Sequence, residues 1–92
     1  MANPVTGHVV AELVFFASIR EALDCDRLTL DIKDGMLLSE LIAVLAVEKG
    51  ENWREALTAE NVRVAVNQEL VKGNPRVKPG DEIAFFPPVT GG

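Results

Sequence analysis

Glu82-Ile83-Ala84-Phe85-Phe86-Pro87-Pro88-Val89-Thr90-Gly91-Gly92 carries a strand into an end that cannot remain in a sheet. Alternation puts Ile83 and Phe85 toward a core and leaves Glu82, Ala84 and Phe86 outside. The two prolines that follow have no N–H for a ladder, and the residue before each proline is pushed toward extended geometry. The chain is therefore expected to leave the sheet after Phe86. Val89, Thr90 and two glycines offer too little apolar surface to offset the entropy of docking on their own domain, so Pro87, Pro88, Val89, Thr90, Gly91 and Gly92 read as a flexible extended tail. At about 3.3 to 3.6 Å per residue, such a tail reaches roughly 20 Å, enough to thread a cleft in another protein.

Glycines suit threading because a narrow channel can close on a backbone that has no Cβ. The chemistry at Gly92 is then that of its carboxylate, a poor electrophile that needs activation, most simply as an acyl-adenylate made by an ATP-dependent enzyme. A frayed end or an expression scar is the plain alternative. At a glycine usage of about 7%, a Gly-Gly terminus arises by chance in about 0.5% of chains, so the position directly after a strand and a diproline is what gives it weight.

Upstream, Val9-Val10-Ala11-Glu12-Leu13-Val14-Phe15-Phe16-Ala17 is rich in β-formers, with Val9, Ala11, Leu13 and Phe15 on one face and Val14 and Phe16 on the other. Ser18 to Leu23 reads as a short helical turn, with Ser18 as N-cap and Glu21 completing a capping box. Asp24-Cys25-Asp26 is a polar loop, and Arg27 to Ile32 alternates as the second arm of a hairpin, ended by Lys33-Asp34-Gly35. Between Met36 and Lys49 the period becomes helical, through Leu37, Leu38, Leu41, Ile42, Val44 and Leu45. The start of this main helix, between Gly35 and Ser39, has no good capping side chain, whereas Lys49-Gly50 is a sound stop. A second short helix opens at Asn52, read as its cap, with Trp53, Ala56 and Leu57 packing it down. Val62 to Asn67 alternates with Val64 and Val66 inward, then turns through Asn67-Gln68-Glu69 into Leu70-Val71. Lys72 to Pro79 reads as a loop and Pro79-Gly80 as a tight turn into the last strand.

The order strand, strand, helix, strand, short strand, strand predicts an α+β fold of the β-grasp type, a mixed sheet with one main helix on one face, over a single domain spanning 1–92. In that pattern the first and last strands lie parallel at the sheet centre. Phe16 and Phe86 then meet on the uncovered face and, with Val14, Ala65 and Ala84, form an exposed apolar patch beside Arg20 and the tail. Contiguous exposed apolar surface on a small domain signals a partner.

Ninety-two residues, nearly half of them hydrophobic, supply one modest core. A net charge of −5 argues against nucleic acid or anionic membrane as a partner and favours a basic protein. One cysteine forms no intramolecular disulfide, no stretch approaches a membrane span, and residues 1–8 lack the regions of a signal peptide, so the chain reads as cytoplasmic. Cys25 lies between two aspartates, a field that disfavours thiolate, and so reads as a bystander. His8 stands alone, no spacing suggests a metal site, and no glycine loop cradles phosphate.

Leu13-Val14-Phe15-Phe16-Ala17-Ser18-Ile19-Arg20-Glu21, Val64-Ala65-Val66-Asn67-Gln68 and Lys78-Pro79-Gly80-Asp81-Glu82, running into Phe85 to Gly92, resemble the small, sulfur-carrier subunits of molybdopterin synthase, the MoaD family. The likeness spans the chain from Val9 onward and is most specific in the tail; Asp24 to Ala59 carries little of it, residues 1–8 lie outside it, and the uncapped helix start departs from a threonine-type start. The resemblance implies a carrier cycle. A MoeB-type activating enzyme adenylates Gly92 with Mg-ATP, this chain binding no cofactor itself, and a sulfur donor protein converts the carboxylate to a thiocarboxylate. The loaded tail enters a MoaE-type large subunit, which supplies the acid-base groups. Two deliveries to cyclic pyranopterin monophosphate make the dithiolene, in an assembly of two small and two large subunits. By the same resemblance Phe16, Arg20 and Phe86, beside Val14, form the docking surface, although Arg20 also reads as an ordinary surface charge. Two other classes stay open: a ubiquitin-like modifier joined through Gly92 to protein lysines, and an interaction module with an inert tail. The sulfur carrier of thiamine thiazole synthesis is a near neighbour, typically shorter and without the Phe-Phe-Ala-x-x-Arg-Glu opening seen at residues 15–21.

Overall fold

The computed structural model describes residues 9–87. Along the chain these form β1 (Val10–Phe15), α1 (Ala17–Leu23), β2 (Arg27–Asp31), β3 (Met36–Leu37), α2 (Leu38–Lys49), α3 (Glu51–Leu57), β4 (Arg63–Val66), β5 (Glu69–Val71), β6 (Arg76–Val77) and β7 (Glu82–Phe86). Five strands make one sheet in the order β2-β1-β7-β4-β5, with β1 and β7 parallel at its centre and every other pairing antiparallel. This is the expected ubiquitin-like β-grasp arrangement. No helix among the described residues is long and apolar enough to cross a membrane.

The core lies between one face of this sheet and the helices. Ala11, Leu13 and Phe15 of β1 and Ile83 and Phe85 of β7 are essentially inaccessible, and Leu41 and Leu45 of α2 close over them. Phe15 stacks on Phe85 with ring centroids 5.7 Å apart and meets the edge of Trp53 from α3 at 5.5 Å. Each fully buried side chain of this size contributes roughly 1.5–3 kcal/mol through area removed from water, so these two central strands anchor the domain. Trp53 is thus a core residue that joins α3 to the sheet.

Several local expectations give way to long-range ones. Ser18 does not cap α1: the N-cap is Phe16, in extended conformation and without a side-chain bond, and Ser18 lies one residue inside the helix. Asn52 likewise lies inside α3, whose N-cap is Gly50. The unsatisfied start of α2 is resolved from a distance. Asn74, in the segment read as loop, accepts from the Ser39 N–H at 2.8 Å, Pro75 accepts from Leu38, and Glu40 reaches back to the Leu37 N–H. The same contact turns Met36–Leu37 into β3, paired with β6, rather than the first turn of the helix. Val9, read as inward, is exposed because it precedes the first paired residue.

Candidate functional site

The register places a row of small and apolar side chains straight across the sheet face that the helices leave uncovered. Leu70 pairs with Ala65, Ala65 with Ala84, Ala84 with Val14, and Val14 with Arg27. Toward the end of β7 the next row holds Phe86, opposite Arg63, while Phe16 follows β1 and donates its N–H to the Phe85 carbonyl at 3.1 Å. Val14, Phe16, Ala17, Ala65, Ala84, Phe86 and Pro87 line one open groove, with Arg27, Gln68 and Glu82 at its margins. Phe16 and Phe86 therefore line the same groove on the uncovered face, together with Pro87.

The backbone at Phe16 is held in an uncommon way. Ala17 has φ +53°, the left-handed region that costs an L-residue roughly 1–2 kcal/mol, and this turn ends β1 and starts α1. It leaves the Phe16 ring 46% exposed beside a fully buried Phe15. Two neighbouring phenylalanines thus take opposite roles, one packing the core and one facing outward.

Two placements differ from the sequence reading. Val14 faces the groove, but its neighbours bury it, so it forms floor rather than exposed surface. Arg20 lies on α1 among Glu21, Asp24, Cys25 and Asp26, away from the groove lining, and the arginine at the groove is Arg27. Leu70, 61% exposed at the far end of the row, was not in the sequence patch. The signal for it is the two-residue turn at Asn67 and Gln68, both with positive φ, which forces Leu70 opposite Ala65 and onto the same face. Pro88, Val89, Thr90, Gly91 and Gly92 lie outside the described residues, as does His8.

A buried polar knot fixes where β7 begins. Asp81, 4% exposed, accepts from the Asn67 amide at 2.9 Å and the Lys78 N–H at 3.0 Å. Asn67 in turn accepts from the Glu82 N–H at 2.9 Å, and the Asp81 carbonyl accepts from Glu12 at 2.9 Å. Burial alone pushes the Asp81 pKa up, but the Asn67 and Lys78 hydrogen bonds and the Lys78 charge outweigh it and hold the carboxyl below its ordinary value. The aspartate thereby ties β7 to β1 and β4 and sets the register of the strand that ends at the groove. Cys25 is half-buried and donates to the Arg27 carbonyl at 3.4 Å, remote from this lining. No group of three metal-ligating side chains occurs among the described residues.

A mixed sheet with parallel strands at its centre and helices over one face places the domain in the ubiquitin-like β-grasp class. The chain belongs to the ThiS family, whose profile matches residues 13–92. It is 42% identical over 80 residues to the molybdopterin synthase sulfur carrier subunit of Haemophilus influenzae, covering 87% of this chain and 96% of that one. To the protein of the same name from Escherichia coli it is 35% identical over 81 residues, covering 88% and 98%. Among solved structures it is similar to a complex of subunits 1 and 2 of molybdopterin-converting factor from Helicobacter pylori, at 31% identity and TM-score 0.62, covering 90% of this chain and 99% of that one.

Proposed function

We propose that this chain is the sulfur carrier subunit of a molybdopterin synthase, acting through the carboxyl group of Gly92. The observation that carries the reading is the placement of β7: it is bonded on both sides at the sheet centre and delivers Phe86 and Pro87 to the rim of the apolar groove, five residues before Gly92. A partner seated on the groove through Phe16, Ala84 and Phe86 is adjacent to Pro87, where the segment ending at Gly92 begins. The similarity to named carrier subunits over most of the chain supports the same reading.

In this cycle an activating enzyme adenylates the Gly92 carboxylate with Mg-ATP, and a sulfur donor protein replaces the adenylate to leave a thiocarboxylate. The large subunit then covers the groove and takes the tail into its own cleft. There the anionic sulfur, held near its target, attacks cyclic pyranopterin monophosphate, and water then cleaves the Gly92 acyl–sulfur bond, leaving the sulfur on the pterin and returning Gly92 to a carboxylate. Two small and two large subunits form the cytoplasmic assembly, and the acid-base groups belong to the large one. Sulfur transfer needs no side chain of the carrier, which fits Cys25 lying remote from the groove.

Intact-mass measurement after incubation with ATP, activating enzyme and sulfur donor tests this directly. Exchange of one oxygen for sulfur at Gly92, confirmed by alkylation of the thiocarboxylate, is the expected result, and deletion of Gly92 abolishes it with the fold intact. Loading that survives the deletion, or lysine-linked conjugates in place of thiocarboxylate, refutes the assignment.

A further inference from the structure

The groove ends in a charge arrangement that the carrier reading leaves unexplained. Glu12 and Glu82 stand directly opposite each other where β1 and β7 run parallel, one row along from Val14 and Ala84 on the open face. Like charges in this position destabilise a sheet. Glu12 is partly neutralised, because Arg27 approaches its carboxylate at 2.6 Å from β2. Glu82 has no ion pair among the described residues; Asn67 bonds its main-chain N–H and carbonyl and leaves the carboxylate free. Glu82 is also half-buried and lines the groove with Ala65, Ala84 and Phe86.

A protein that covers this groove takes water away from Glu82. A carboxylate desolvated without a counter-charge is costly, more so than an exposed one, unless the covering surface brings a cation. Arg27 does not supply it, being engaged by Glu12 at the β2 edge. We infer that the protein seated on the open face places a lysine or arginine against Glu82, next to the apolar group that fills the groove. The carrier then keeps an unfavourable carboxylate pair in the free state because docking resolves it. Its net charge of −5 favours the approach of a basic surface as a whole, and Glu82 then selects a cation at the groove. This inference rests on the open face being the docking surface, and it specifies the chemistry of the surface that meets it.

The test measures binding of the full chain to its cognate large subunit at low and high salt for wild type, Glu82→Gln, Glu82→Lys and Phe86→Ala, with the melting temperature of each carrier alone. Expected is a graded loss, roughly three- to tenfold for Glu82→Gln and more for Glu82→Lys, largest at low salt and chiefly in the association rate. The melting temperature of Glu82→Gln stays at or above wild type, since the substitution removes a repulsion. Unchanged affinity in Glu82→Lys beside a weakened Phe86→Ala overturns the cation inference and leaves the docking face standing. Loss of affinity that is independent of salt and accompanied by a lowered melting temperature also overturns it, as a structural effect. Full affinity in all variants removes the docking face as well, and self-association of the carrier that Glu82→Lys abolishes assigns the groove to a second copy instead.

Discussion

Leu70→Ala separates docking from folding at one position. Leu70 is 61% exposed at the end of the cross-sheet row, so its truncation leaves little cavity and the isolated domain keeps its melting temperature. Burying a whole leucine side chain is worth roughly 1.5–3 kcal/mol, and the exposed share still to be gained on docking amounts to about 1–2 kcal/mol. In calorimetry with the large subunit this is about a five- to thirtyfold rise in Kd. Val47→Ala is the matched control, since Val47 is 84% exposed on α2, which packs the opposite side of the sheet. Phe86→Ala, in the groove itself, is expected to cost about 1–3 kcal/mol as an interfacial aromatic anchor. An unchanged Kd for Leu70→Ala beside a weakened Phe86→Ala confines the interface to the inner strands. A weakened Val47→Ala refutes the choice of face.

Two further predictions concern the scaffold. Gly50→Ala destabilises by about 1–3 kcal/mol in denaturant titration, because φ +126° suits glycine, while the Asn52 Oδ1 that an added Cβ would meet at 2.8 Å can swing aside; docking, on the other side of the sheet, is unaffected. Asp81→Asn costs about 1.5–3 kcal/mol at neutral pH by weakening hydrogen bonds to a buried carboxylate. The Asp81 pKa is lowered on folding, so its contribution is fully present above the unfolded value and is lost as pH falls through the folded one. The gap between wild type and Asp81→Asn therefore holds steady at neutral pH and narrows in acid, and a gap that does not narrow rules out this linkage.

The fold was legible where pattern and burial coincide. Alternation in Leu13 to Phe15 and Ile83 to Phe85 names the central core strands, and the helical period from Leu38 to Leu45 names the helix that covers them. What escaped was set by residues far apart in sequence. Beside the local bond from Glu40, α2 is capped by Asn74, 35 residues from the Ser39 it serves, and no local window contains both. The pairing of β3 with β6 is only two residues long and carries no period of its own. At the site, Phe16 and Phe86 were readable from strand parity, whereas the place of Arg20 outside the groove lining depended on how α1 turns away after Ala17. Leu70 was within reach of the same parity argument, once the two-residue turn at Asn67 and Gln68 is used to fix register.

The position of β7 gives the strand order a functional consequence. In the proposed cycle, activation, loading and transfer each bring another protein onto the tail, and any pull on it passes into the strand that carries it. An edge strand held by one ladder frays residue by residue, whereas β7 is bonded to β1 on one side and β4 on the other. Its inward side chains, Ile83 and Phe85, are inaccessible, and its start is tied down by Asp81 and Asn67. Local opening free energies are highest in such doubly paired, fully packed segments and fall toward zero at loosely held ends. Native-state hydrogen exchange should therefore show the Phe85 amide exchanging only with global unfolding, in the free carrier and in its complex alike. Sub-global exchange at Phe85 would mean that the domain yields when the tail is pulled, and the division between a rigid body and a working end would fail.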